Sequence, residues 1–181
     1  YEVAYKLTIP AIFITNVTSQ AILSKVSDLN SRQEDVTGDV SNSLAFASLL
    51  AVPIFFGSLA IAEPLVVTAY GQPYAEAATL LVGLASYRLV QSQADVLVSV
   101  VNGLVRPRIV MWVSSVALAT NVILGVLLFW EFGPSGVVIA TVVAESIKYG
   151  ALSLAVKRWT SATVFSRSLV AQLGAGVIMY G

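Results

Sequence analysis

IVMWVSSVALATNVILGVLLFW, residues 109–130, runs for 22 residues without a charged side chain. About 20 apolar residues are needed to cross a bilayer's hydrocarbon core as a helix. The run is also too long for a buried strand, so it reads as a membrane-spanning helix. Trp112 and Trp130 fall near its two ends, at the level where indole rings settle among lipid headgroups.

Working outward, runs of the same kind lie at about 136–156 and 77–103 on either side, then at 44–69 and 7–24, and an incomplete one starts near 168 and continues to 181. The expected fold is therefore an all-α membrane protein, a single six-helix transmembrane bundle over 1–181. Composition agrees: 57% of residues are hydrophobic and 11% charged, against roughly 45–50% and 25% in soluble domains, and the mean hydropathy is +0.83. Tyr1 and Gly181, the latter inside an apolar run, read as cuts through a longer protein, which makes a missing N-terminal half an expected partner.

The chain has no cysteine and no histidine. That excludes a disulfide framework, a thiolate nucleophile, a Cys/His zinc site and a histidine base. Ten basic and ten acidic residues cancel, so there is no polybasic surface of the kind that binds nucleic acid. No cofactor and no metal are expected.

Lys25, Arg32, Arg106, Arg108, Lys157, Arg158 and Arg167 sit in the segments after runs one, three and five, while Lys6 is the one basic residue assigned to the other side. Positively charged loops stay in the cytoplasm, so 25–43, 104–108 and 157–167 are predicted to be cytoplasmic loops of a multi-pass protein of the cell membrane. The segment 25–43 contains SDLNSRQEDVTGDVSN and reads as an exposed loop with room for a short surface helix.

Polar residues inside the spans are the candidate site. In run three Arg88, Gln91, Ser92, Asp95, Ser99 and Asn102 recur at three- and four-residue spacing, one stripe of a helix. A charge at mid-bilayer costs about 2.5–3.5 kcal/mol on insertion scales, so the stripe should face other helices or a water-filled path. The functional reading is a substrate cavity wall in which Arg88 draws an anionic headgroup and Asp95 couples ions or protons; the structural reading is that Arg88 and Asp95 neutralise each other through Gln91. Asn16 and Gln20, on the polar side of run one, are further cavity candidates. Glu145 and Lys148 in run five are spaced for an intrahelical ion pair, and Pro10, Pro53 and Pro64 permit bends.

Three stretches carry a family resemblance. AEPLVV leads to YGQPYAEAA, with Gly71, Tyr74, Ala77 and Ala78; VNGLVRPR is a short basic turn before a span holding Asn121; EFGPSGVVIAT opens the next span with Gly133, Gly136, Ala140 and Thr141. In this order they resemble the C-terminal half of the Wzx-like polysaccharide and oligosaccharide flippases, within the MATE-like superfamily. Val137, Val138 and Ser24 depart from the usual pattern. The resemblance implies one lobe of a transporter whose two six-helix bundles rock to pass a lipid-linked sugar across the cytoplasmic membrane, with that lipid-linked sugar and the membrane lipids as partners and no enzymatic activity. A MATE-type multidrug or cation exporter is the alternative, and a polytopic glycosyltransferase or polymerase is a third. Arg88 at the head of the clearest polar stripe favours an anionic substrate over a cation.

Overall fold

The computed structural model describes residues 20–72 and 77–159. Among these the chain is helical throughout, with no strand: α1 over 20–31, α2 Thr37–Tyr70, α3 Ala77–Gly103, α4 Pro107–Phe132 and α5 Pro134–Lys157. The expected spans at 77–103, 109–130 and 136–156 correspond to α3, α4 and α5. Most of the run at 7–24 and the whole of the run at 168–181 lie outside the described residues, so five helices stand where six were expected.

One boundary is corrected. The expected loop 25–43 is mostly helix: α1 continues to residue 31, α2 begins at Thr37, and the connection is only 32–36. The cause is an apolar spacing of four that the surrounding polar residues hide. Val36, Val40 and Leu44 are all buried, as are Ile22 and Val26 on α1, so one stripe of each helix packs inward while Asp28, Asn30 and Asn42 face out. At 1.5 Å per residue α2 is about 51 Å long, well beyond a hydrocarbon core of about 30 Å. Its polar first turns therefore stand clear of the apolar layer.

Two clusters fix the direction of the helices. At one end Val36, which caps α2, and Val40, Leu44 and Ala47 of α2 meet Val96, Leu97, Val100 and Val101 of α3, Leu152 and Val156 of α5 and Ile22 and Val26 of α1, with Ile109, Val110 and Val113 of α4 packed against them. At the other end Ala62 and Val66 of α2 meet Ala78 and Leu81 of α3. Successive helices from α2 to α5 therefore run antiparallel. α3 lies between α2 and α5, and α4 packs chiefly on α5.

Small residues set the closest approaches. Gly133, at φ +60, occupies the left-handed region that suits glycine and turns α4 into α5 in a single residue, with Pro134 opening the new helix. At Gly136 an added Cβ would fall on the Leu128 carbonyl, so the two backbones touch there. This is the small-residue contact by which membrane helices pack.

α2, α4 and α5 are each long and apolar enough to span a membrane. α3, with 27 residues, is as long but more polar, and it is the helix most enclosed by the others. On α4 large apolar side chains stay exposed, among them Met111, Trp112, Val116, Leu118, Val122, Ile123, Leu127 and Trp130. Water would penalise such a surface and lipid would not; the chain is a multi-pass membrane protein.

Candidate functional site

The polar side chains of α3 and α5 gather in one seam at mid-helix. On α3 Arg88 Nη1 donates to Gln91 Oε1 at 2.6 Å, and its guanidinium lies 5.3 Å from the centre of the Tyr87 ring. On α5 Lys148 Nζ meets Glu145 Oε1 at 2.8 Å, with 16% and 12% of their side chains exposed. Asp95, half-buried, lies within electrostatic reach of Lys148, Glu145 and Arg88, and Tyr87 within reach of Glu145, Arg88 and Asp95. Two cations and two anions thus share a small volume among otherwise apolar helices and cancel in sum.

The rest of the α3 stripe serves its own helix. Ser92 Oγ donates to the Leu89 carbonyl at 2.8 Å and Ser99 Oγ to the Asp95 carbonyl at 3.0 Å; both serines are buried. Hydroxyls turned back on the backbone satisfy themselves and offer little to a ligand. Asn102, half-buried, stands one residue before Gly103, the end of the helix. Arg88, Gln91 and Asp95 therefore come together with Glu145 and Lys148, whereas Ser92, Ser99 and Asn102 continue toward the basic end. Gln20 is exposed on the first described turn of α1, the helix whose buried residues pack at the end of α3 far from Arg88. Asn16 lies outside the described residues.

Sequence spacing missed one polar residue and one polar contact. Gln93 is 3% exposed and points away from the stripe toward α2, where Ser48 Oγ approaches its Oε1 at 3.5 Å. Its Nε2 is buried with no hydrogen-bond partner among the described residues. A single glutamine on the apolar side of a helix has no periodic signal to reveal it. The second is a tie between α4 and α5: Asn121 Nδ2 donates to Thr141 Oγ1 at 3.4 Å, and that hydroxyl donates to the Val137 carbonyl at 2.8 Å. Beside it a shallow groove of about 370 Å³ is lined mainly by apolar residues such as Val122, Phe129 and Trp130, a surface for hydrocarbon and not for an ion.

At the basic end the charged groups pair locally. Lys25 bridges to Asp39 between α1 and α2, and Arg32 to Asp28 at 3.0 Å within α1. The Thr37 hydroxyl and amide donate to the Asp35 carboxylate at 2.5 and 2.9 Å and hold its ionisation below the usual carboxylate range. Among the described residues no group of three His, Cys, Asp or Glu side chains comes together to hold a metal.

Residues 1–79 match the polysaccharide biosynthesis protein family. Two curated proteins of Haloferax volcanii are similar over 81% of this chain. One is described as a probable low-salt glycan biosynthesis flippase, Agl15, 26% identical over 149 residues; the other, described as a probable flippase, AglR, is 26% identical over 152 residues. Both relatives are thus described as flippases, and the chain is similar to them over most of its length. It spans about a third of the length of either relative, 32% in both cases. No solved structure matches it.

Proposed function

We propose that this chain is part of the membrane unit of a flippase that moves lipid-linked glycan precursors across the cytoplasmic membrane by alternating access. It supplies part of one helical lobe of a MATE-like transporter and has no enzymatic role. What carries the reading is the α3–α5 seam: Arg88, Asp95, Glu145 and Lys148 sit at bilayer depth, where each charge is costly, in a chain whose relatives are named flippases. Arg88, which among the described residues donates to the neutral Gln91 and lies against the Tyr87 ring, is the cation offered to the anionic headgroup of the substrate. Asp95, between Lys148 and Arg88, is the group that exchanges partners when the lobes rock, and Glu145 with Lys148 is the ion pair that exchange would open. Helices α1 to α5 place 32–36, 104–106 and 158–159 on one face, the basic one, which is the cytoplasmic face in this reading.

Reconstitution of the full-length protein tests the proposal, comparing translocation of a lipid-linked oligosaccharide with efflux of a cationic dye. Movement of the oligosaccharide is expected. Arg88→Ala should lower its rate at least tenfold with little loss of inserted protein, and Arg88→Lys should recover part of it. Movement of the dye alone would assign the chain to the exporters.

A further inference from the structure

The end of α5 and the turn between α3 and α4 form a second charged feature that the transport path does not use. The Arg106 guanidinium lies over the Trp159 ring, 4.6 Å from its centre. That contact joins the two segments and brings Arg106 and Arg108 to the same corner as Lys157 and Arg158. All four side chains are exposed. Three acidic residues of this end are engaged elsewhere, Asp39 by Lys25, Asp28 by Arg32 and Asp35 by Thr37, and Glu34 stands exposed in the 32–36 connection. Among the described residues no carboxylate pairs with any of the four cations.

The backbone is bent to make this corner. Val105 has φ 57, a conformation that a β-branched residue adopts only at a cost, and it is 73% exposed, so no packing of its own side chain offsets that strain. Its amide closes a tight turn on the Asn102 carbonyl at 2.9 Å, and the Arg106 amide reaches the Val101 carbonyl at 3.2 Å. Strain held in a surface turn points to function; here the turn sets Arg106 on Trp159. One turn further along α4, Met111 and Trp112 are 57% and 67% exposed and begin the apolar face of that helix. Unpaired cations thus stand directly above a surface made for acyl chains.

We propose that Arg106, Arg108, Lys157 and Arg158, with Trp159 as their platform, bind the phosphate headgroup of an anionic membrane lipid in the adjacent leaflet. Guanidinium groups match phosphate oxygens two at a time, and the lipid's tails run down the exposed face of α4. The lipid anchors the α3–α4 turn to the end of α5, outside the seam that carries substrate.

The test is native mass spectrometry of the full-length protein taken from nanodiscs of equal parts phosphatidylglycerol and phosphatidylcholine with identical acyl chains. The native protein should retain phosphatidylglycerol preferentially. Arg108→Gln with Arg158→Gln removes two charges that pair with no carboxylate among the described residues and should weaken that preference about fivefold per charge, the equivalent of about 1 kcal/mol each. Lys25→Gln with Arg32→Gln, which removes two paired cations from the same end, should leave it intact. Equal retention of the two lipids by the native protein, an unchanged preference in the Arg108/Arg158 variant, or an equal loss in the Lys25/Arg32 variant would each overturn the site.

Discussion

Single residues in this bundle divide into those that neutralise charge and those that permit contact. Lys148 and Glu145 are nearly enclosed and 2.8 Å apart, so removing one leaves the other charged and unpaired. Such losses cost about 3–5 kcal/mol in buried settings, and Lys148→Met should lower the melting temperature of the full-length protein markedly. Glu145→Gln in the same molecule should return most of that loss, because no stranded charge remains; a double variant as unstable as the single one would show that lysine packing, not charge, was at stake. The glycines offer a sharper contrast. At Gly125 a methyl group would sit at ordinary contact distance, 4.0 Å from the Ala140 Cβ, whereas at Gly136 it would overlap the Leu128 backbone. Gly125→Ala is therefore expected to be neutral in thermal unfolding, and Gly136→Ala to destabilise by about 1–3 kcal/mol. The resemblance marked Gly136 without the reason; the reason is the closeness of two backbones.

Among the helices, legibility followed the apolar runs. α4 and α5 were plain in the sequence because few polar residues interrupt them, and α3 because its polar residues kept helical spacing. The start of α2 was hidden because its inward face, Val36, Val40 and Leu44, is embedded in VTGDVSNSL, residues 36–44, a string whose polarity averages the signal away. Only the period of four, which length and mean hydropathy ignore, could have revealed it. For the site, the stripe on α3 was visible but its division was not: Ser92 and Ser99 turn back on their own backbone, whereas Arg88, Gln91 and Asp95 meet the polar face of α5, which only packing reveals. The placement of α2 carries its own prediction. Val40 is fully buried, so Val40→Ser should cost about 1.5–3 kcal/mol, while exposed Asn42→Ser should cost almost nothing. The first turn also depends on pH. Because hydrogen bonds from Thr37 depress the Asp35 pKa, their stabilising effect is complete above the ordinary carboxylate value and is lost as pH falls through the lowered one. The protection of amides 37–40, measured relative to their intrinsic exchange rates, should fall in acid, and Asp35→Asn should remove most of that pH dependence.

For the whole molecule, what matters is how charge is distributed along the bundle axis. The end that gathers 32–36, 104–106 and 158–159 carries Lys25, Arg32, Arg106, Arg108, Lys157 and Arg158; toward the opposite end the described residues offer Glu63 and Glu131 and no cation. Antiparallel packing from α2 to α5 forces these groupings, since the two apolar clusters join the ends of helices far apart in sequence. Basic segments resist translocation, so the proposed orientation puts this end in the cytoplasm. A cysteine placed at Gln33, Val105 or Lys157 in an otherwise cysteine-free full-length protein should react with a membrane-impermeant maleimide only from the cytoplasmic side, and one at Gln72 or Glu131 only from outside. Labelling of Gln33 and Gln72 from the same side would break α2 as a span and with it the seam, because Arg88 and Asp95 reach bilayer depth only if α2 and α3 cross together.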